Sequence, residues 1–397
     1  MRKNEYKKEL LDLGLLPTKE QELLLKAALL KGEEAIKAWH EWKTCADIEF
    51  IDHGSNRLLP LLYFNLAKND INDPIINRYK GTLRKTWYKN QLLMSELKTL
   101  LTIFQQAGIK TIVLKGIALI LKYYPNYGLR PMNDIDVMVP VNQIPEALLV
   151  LEKEGWISKS QIIFESKEYK KFTRKKIDKQ YFSVYASVNF VNNLKKDFDL
   201  HGHILHQNTK DDADNIFWET AQAYKINDDL NTHILCPTYV LFQVIIHGLR
   251  KENITNIRWI ADSYTIIANS QIDWDRLSVM AEAQGLNIYL IYGISYLKEL
   301  LNIPVPEDWF KKLQNIHLSP KEYRYFRMEN KGNSKFFLYL SLWFRHSRLH
   351  RNTNFFKRVL LFPEFIKQFF LFTNYLQIPF FIFYMILTRK LSKIFRS

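Results

Sequence analysis

The sequence predicts an α+β protein, in which a small mixed β-sheet core is flanked by N-terminal and C-terminal helical regions. Three observations carry that reading. Apolar residues recur at helical spacing from Leu10 to Phe104. The pattern changes at Gly108 to short runs rich in β-branched residues. Helical spacing then returns after about residue 211. The chain divides accordingly into an N-terminal helical region (1–105), a core (106–206), a helical domain (207–320) and a basic, aromatic-rich helical tail (321–397).

The elements follow in order. Helical spacing is clear in Leu10–Leu15, Leu23–Leu30, Ala35–Trp42, Leu58–Leu66 and Leu92–Phe104. Asp73-Pro74 predicts the cap and first turn of a long helix running toward Gln106. Ile109–Leu114 predicts a buried strand ended by Lys115-Gly116, and Ile117–Tyr124 a helix broken by Pro125, Asn126 and Gly128. Asp134–Val139 predicts a second strand closed by Pro140, and Ile144–Glu154 an amphipathic helix closed by Gly155. Gln180–Phe190 and Asp197–Leu205 are further strand candidates. Residues 211–225 read as a helix, and Pro237–Leu249 with Ile257–Ala268 as a helical pair.

Composition bounds the class. Apolar residues make up 47% and charged residues 24%, the balance of a folded chain rather than a disordered one. Two distant cysteines, Cys45 and Cys236, exclude a disulfide framework. No secretory signal is read at the start, so the expected location is cytoplasmic. The net charge is +15, and residues 321–397 hold 15 Lys and Arg against 3 Glu. Such a tail points to nucleic acid or an acidic membrane surface, the plain alternative being a solvated basic face.

The chemistry concentrates in three places. In Asp134-Ile135-Asp136-Val137, side chains alternate, so the two carboxylates share one side of the strand and the apolar residues the other. Paired carboxylates repel, and a bound cation relieves that; Mg2+ suits them because it takes carboxylate and phosphate oxygens. The plain alternative is an edge strand with its polar face in water. In Asp197-Phe198-Asp199-Leu200-His201-Gly202-His203, Asp199 sits between apolar neighbours and is the better third ligand, while Asp197 follows Lys195-Lys196 and reads as paired or solvated. His201 orients Asp199, touches substrate or is a structural histidine. Lys115-Gly116 lies at a strand-to-helix turn, where glycine permits close approach and a helix N-terminus favours an anion.

At these residues the chain resembles the DNA polymerase beta-like nucleotidyltransferase superfamily, and more specifically a bacterial family labelled "nucleotidyltransferase family protein". The resemblance rests on Leu114-Lys115-Gly116, on Arg130 ahead of Asp134-Ile135-Asp136, and on Asp199-Leu200-His201. It extends to Leu59-Pro60-Leu61-Leu62-Tyr63, to His247, Arg258-Trp259 and Asp262, and to Phe362-Pro363, Tyr384 and Arg389. The turn is Lys-Gly where the superfamily has Gly-Ser or Gly-Gly, and the gap from Gly116 to Asp134 is longer than usual. The resemblance implies two Mg2+ (or Mn2+) ions held by Asp134, Asp136 and Asp199, about 3.5–4 Å apart in such sites. It also implies a nucleoside triphosphate substrate, with Lys115, Gly116, Arg130 and His201 around it, and an acceptor that the motifs leave open. Arg258 and Asp262, spaced i, i+4, read as an ordinary surface ion pair.

The tail is the remaining feature. Phe369 to Thr388 are 20 consecutive uncharged residues flanked by Lys367 and Arg389-Lys390, long enough to cross a bilayer. Asn374, Gln377, Pro379 and the nine aromatics between Phe365 and Tyr384 suit an interfacial position better. Reversible contact of residues 364–397 with an anionic inner-membrane face is therefore expected, the alternative being a helix packed into the protein. Two other functions stay open: a catalytically degenerate binding module at the membrane, and an RNA-modifying enzyme whose basic tail holds RNA.

Overall fold

The computed structural model describes residues 5–69, 71, 73–159, 177–251, 257–330, 335–351 and 353–379. The chain forms two compact units, one made of residues 96–114, 134–234 and 332–397 and the other of residues 1–95, 115–133 and 235–331. The first holds a sheet, and the second is helical.

Among the described residues the sheet has seven strands: β1 (Ile112–Val113), β2 (Asp136–Met138), β3 (Ile157–Ser158), β4 (Ser187–Val191), β5 (Asp197–His201), β6 (Gln222–Lys225) and β7 (Asn231–Ile234). Their order is β3-β4-β5-β2-β1-β7-β6. The sheet is mixed, as expected: β2 runs parallel to β5 and β1 parallel to β7, and the other neighbours are antiparallel. The central strands β1 and β2 are buried throughout, which suits the β-branched pair of β1 and leaves Asp136 of β2 as a buried carboxylate. Phe198 on β5 packs edge-on against Trp156 at 5.0 Å and stacks on Phe190 of β4 at 5.7 Å.

Several expectations needed correction. The strand expected over Gln180–Phe190 begins only at Ser187, after the short helix Lys179–Phe182. Residues 211–225 are not one helix: Asn215–Thr220 is helical, and Gln222–Lys225 is the edge strand β6. Its partner β7 was not anticipated. Four-residue strands carry little periodicity, and β6 is mostly exposed, so no alternation marks it. The strand expected over Asp134–Val139 is also shorter, so Asp134 lies in the non-strand segment just before β2.

Helices cover this sheet. Ile144–Lys153 buries Ile144, Ala147 and Leu151 and is closed by Gly155 at φ +77°. Two C-terminal helices, Lys335–Leu349 and Phe355–Phe369, join the same unit through a cluster of Val184, Leu342, Leu349, Phe365, Ile366 and Phe369. Tyr185 stacks on Phe369 at 5.2 Å and donates its hydroxyl to the Phe369 carbonyl at 2.7 Å. Most of the tail segment expected to meet a membrane, residues 380–397, lies outside the described residues.

Asp73, in the helical unit, caps the start of the long helix Pro74–Gln106 as expected, its Oδ1 accepting from the Ile75 N–H at 2.9 Å. The pair Pro237–Gly248 and Arg258–Asn269 packs closely at Gly248, where a methyl group would lie 2.2 Å from the Trp259 Cβ. Only glycine admits that approach.

Candidate metal centre

The site is built by strand register. In the parallel pair β2–β5, Asp136 lies opposite Asp199, and Met138 opposite His201. The Asp199 N–H bonds the Ile135 carbonyl at 2.8 Å, and the Leu114 N–H bonds the Asp136 carbonyl at 3.0 Å, so both backbones are fixed by the sheet. One ligand atom each from Asp136, Asp199 and His201 lies within 4.8 Å of the others. Asp136 is 1% exposed, His201 is buried and Asp199 half-buried.

Asp134 stands outside that tight group. It is exposed, two residues upstream, because the regular strand begins only at Asp136. His201 occupies the third place instead.

The donor set fits a divalent cation. His201 Nε2 faces Asp136 Oδ1 at 2.9 Å, and its Nδ1 faces the His203 carbonyl at 3.3 Å. Both oxygens are acceptors, and a neutral imidazole has a single N–H. One ring nitrogen of a neutral His201 therefore turns a lone pair toward an oxygen. A cation between that lone pair and the carboxylates removes the conflict. Two carboxylates with one imidazole suit Mn2+ well, and the carboxylates also suit Mg2+.

Sequence reasoning missed Asn189. It lies opposite Asp199 across the antiparallel pair β4–β5, and its Nδ2 donates to Asp199 Oδ1 at 2.7 Å. Its own Oδ1 is buried without a hydrogen-bond partner. Only the β4–β5 register could have revealed it. His203, fully buried, bonds Asp214 Oδ2 through Nδ1 at 2.6 Å, while Asp214 Oδ1 accepts from the Ile204 N–H at 3.0 Å. That pair braces the loop after β5. Gly202 between the two histidines is dictated by packing, since a methyl there would meet Phe182 at 2.6 Å. Asp197 pairs with Lys159 at 2.6 Å.

In the helical unit, Lys115 opens the helix Lys115–Lys122 with φ +48°, a left-handed conformation that is uncommon for a residue bearing a Cβ and is often found at functional turns. A methyl on Gly116 would lie 2.7 Å from Arg130 Nη1. Arg130 is buried and grips Asp262 with two bonds, Nε to Oδ1 at 2.8 Å and Nη2 to Oδ2 at 2.9 Å. Tyr124 donates to the same Oδ1 at 2.8 Å. Burial alone would raise the Asp262 pKa, but the Arg130 guanidinium outweighs it and holds the carboxyl below its usual range. Burial, and then the Asp262 charge, push the Tyr124 hydroxyl well above its usual value. The reading of Arg258 and Asp262 as a surface pair is thereby corrected: Asp262 is buried on Arg130, and Arg258 Nη1 donates to the Pro131 carbonyl at 2.5 Å.

A family model described as an uncharacterised nucleotidyltransferase matches residues 54–302. That span covers more than half of the chain and takes in the whole carboxylate site. The chain belongs to this nucleotidyltransferase family. No curated protein matches it. Membership supports a nucleotidyl-transfer role and implies a nucleotide substrate, and the Asp136, Asp199 and His201 group could hold the metal that such chemistry typically employs.

Proposed function

We propose that this protein moves a nucleoside monophosphate from a nucleoside triphosphate to an acceptor hydroxyl, with Asp136, Asp199 and Asp134 as the metal-binding carboxylates. The observation that carries the reading is the register of Asp136 against Asp199, with His201 beside them, inside a chain of the nucleotidyltransferase family. Exposed Asp134 joins from the segment ahead of β2. Divalent cations held there, Mg2+ or Mn2+, would neutralise the triphosphate and make the acceptor oxygen more acidic.

The residues of the chain do the rest. Asp199, fixed through Oδ1 by Asn189, takes the acceptor's proton on its carboxylate. The acceptor oxygen bonds to the α-phosphorus, the bond from that phosphorus to the β-phosphate oxygen breaks, and pyrophosphate leaves with the electron pair. His201 holds Asp136 in place through the contact at 2.9 Å. In the helical unit, Lys115 and Gly116 form a helix-opening turn of a kind that suits an anionic phosphate. Arg130, locked on Asp262, shapes the Gly116 turn. Most of the rate enhancement comes from positioning and charge neutralisation.

The test is incubation with each α-labelled triphosphate, Mg2+ or Mn2+ and cell extract, comparing the parent with Asp136→Asn. Label should pass to one acceptor fraction with the parent and not with the variant. Equal labelling by both proteins would refute the mechanism.

A further inference from the structure

We infer that the outer face of the helix Phe355–Phe369 docks on an anionic lipid surface. The helix carries two apolar stripes. Phe362, Phe365, Ile366 and Phe369 recur at i, i+3, i+4 and i+7 and pack against Val184, Leu342 and Leu349. Phe356, Val359, Leu360 and Pro363 repeat the same spacing on another face, and that face meets solvent. Phe356 is 77% exposed and Leu360 79%. Phe355 at the helix start, and Tyr375 and Leu376 after its end, are exposed as well. Scattered apolar residues on a surface are ordinary, but a helical stripe of them marks an interaction face.

Charge selects the occupant. Lys357 is exposed beside the stripe, whereas Lys367 further along is paired with Glu364 at 3.4 Å. Residues 335–379 hold seven Lys and Arg against one acid, Glu364, which is itself bonded to Gln368 at 2.9 Å. Residues 380–397 add Arg389, Lys390, Lys393 and Arg396 and no acid. A second copy of this face would bring like charges together, whereas an anionic bilayer accepts both features. Aromatic side chains enter the headgroup boundary, and each nearby Lys or Arg adds about 1 kcal/mol. Among the described residues no helix is long and apolar enough to cross a membrane, and the contact proposed is along the surface. It is independent of the nucleotidyl-transfer reading.

The experiment is flotation of the full-length protein with vesicles of phosphatidylcholine, with and without phosphatidylglycerol. It is run at about 0.1 M and about 1 M salt, which shortens the Debye length from about 10 Å to about 3 Å. The parent should float with the anionic vesicles, less so at high salt and little with neutral ones. The triple variant Phe356→Ser, Val359→Ser, Leu360→Ser should bind about tenfold more weakly or worse while melting with the parent, since its sites are exposed. Lys357→Glu should weaken binding at low salt only. A parent that does not float with anionic vesicles overturns the inference, whether a second copy or residues 380–397 cover the stripe. So does a triple variant, folded by its melting curve, that floats as well as the parent.

Discussion

Asp136 and Asp262 are both buried carboxylates, yet they are satisfied in opposite ways. Asp262 receives two bonds from a guanidinium that is always charged, and a third from Tyr124. Asp136 faces a histidine and lies in register with a second carboxylate. A carboxylate answered by a permanent cation holds the fold together. One grouped with another carboxylate and an imidazole could hold a metal ion.

The contrast predicts different consequences of removing each charge. Asp262→Ala leaves the Arg130 guanidinium buried without its carboxylate and should cost about 3–5 kcal/mol, read from denaturant unfolding. A loss under about 1 kcal/mol would mean that the pair relaxes into water. Asp136→Asn should instead keep the unfolding free energy near the parent's, because it relieves repulsion. Its effect should fall on chemistry, with transfer dropping by more than the roughly 10–100-fold typical of outer-shell changes. Mn2+ binding by calorimetry should weaken in parallel.

Smaller effects sharpen the comparison. Asn189→Ala removes the amide that orients Asp199, and should weaken Mn2+ binding by roughly 10–100-fold with little change in melting temperature. The smallest effect is on pH dependence. Because the folded Asp262 pKa lies below its ordinary 3.8, its contribution is present above that value and is lost as pH falls through the depressed one. Melting temperature should therefore decline on acidification below that ordinary value. A variant carrying both Asp262→Asn and Arg130→Met should show a shallower decline.

Two residues of the candidate group, Asp136 and Asp199, were singled out from the sequence as carboxylates on neighbouring strands. Local alternation exposed the carboxylates, and the β-branched run before Lys115-Gly116 and the Asp73-Pro74 cap marked true element ends. The strands β6 and β7 escaped because each has four residues, one of them mostly exposed. Asn189 escaped because its meaning depends on which residue faces it across a strand pair. The surface reading of Arg258 and Asp262 failed because spacing within a helix suggested a pair, while the true partner, Arg130, is 132 residues away.

The sequence by itself determined the mixed composition of helices and strands, the acidic strands and the basic tail. Those properties follow from local periodicity and residue type. Only the tertiary structure decided that His201 rather than Asp134 completes the tight group, that Arg130 closes on Asp262, and that the helix Phe355–Phe369 buries one apolar stripe and exposes another. Each is a matter of which distant groups meet, and that is set by sheet register and packing of the whole chain.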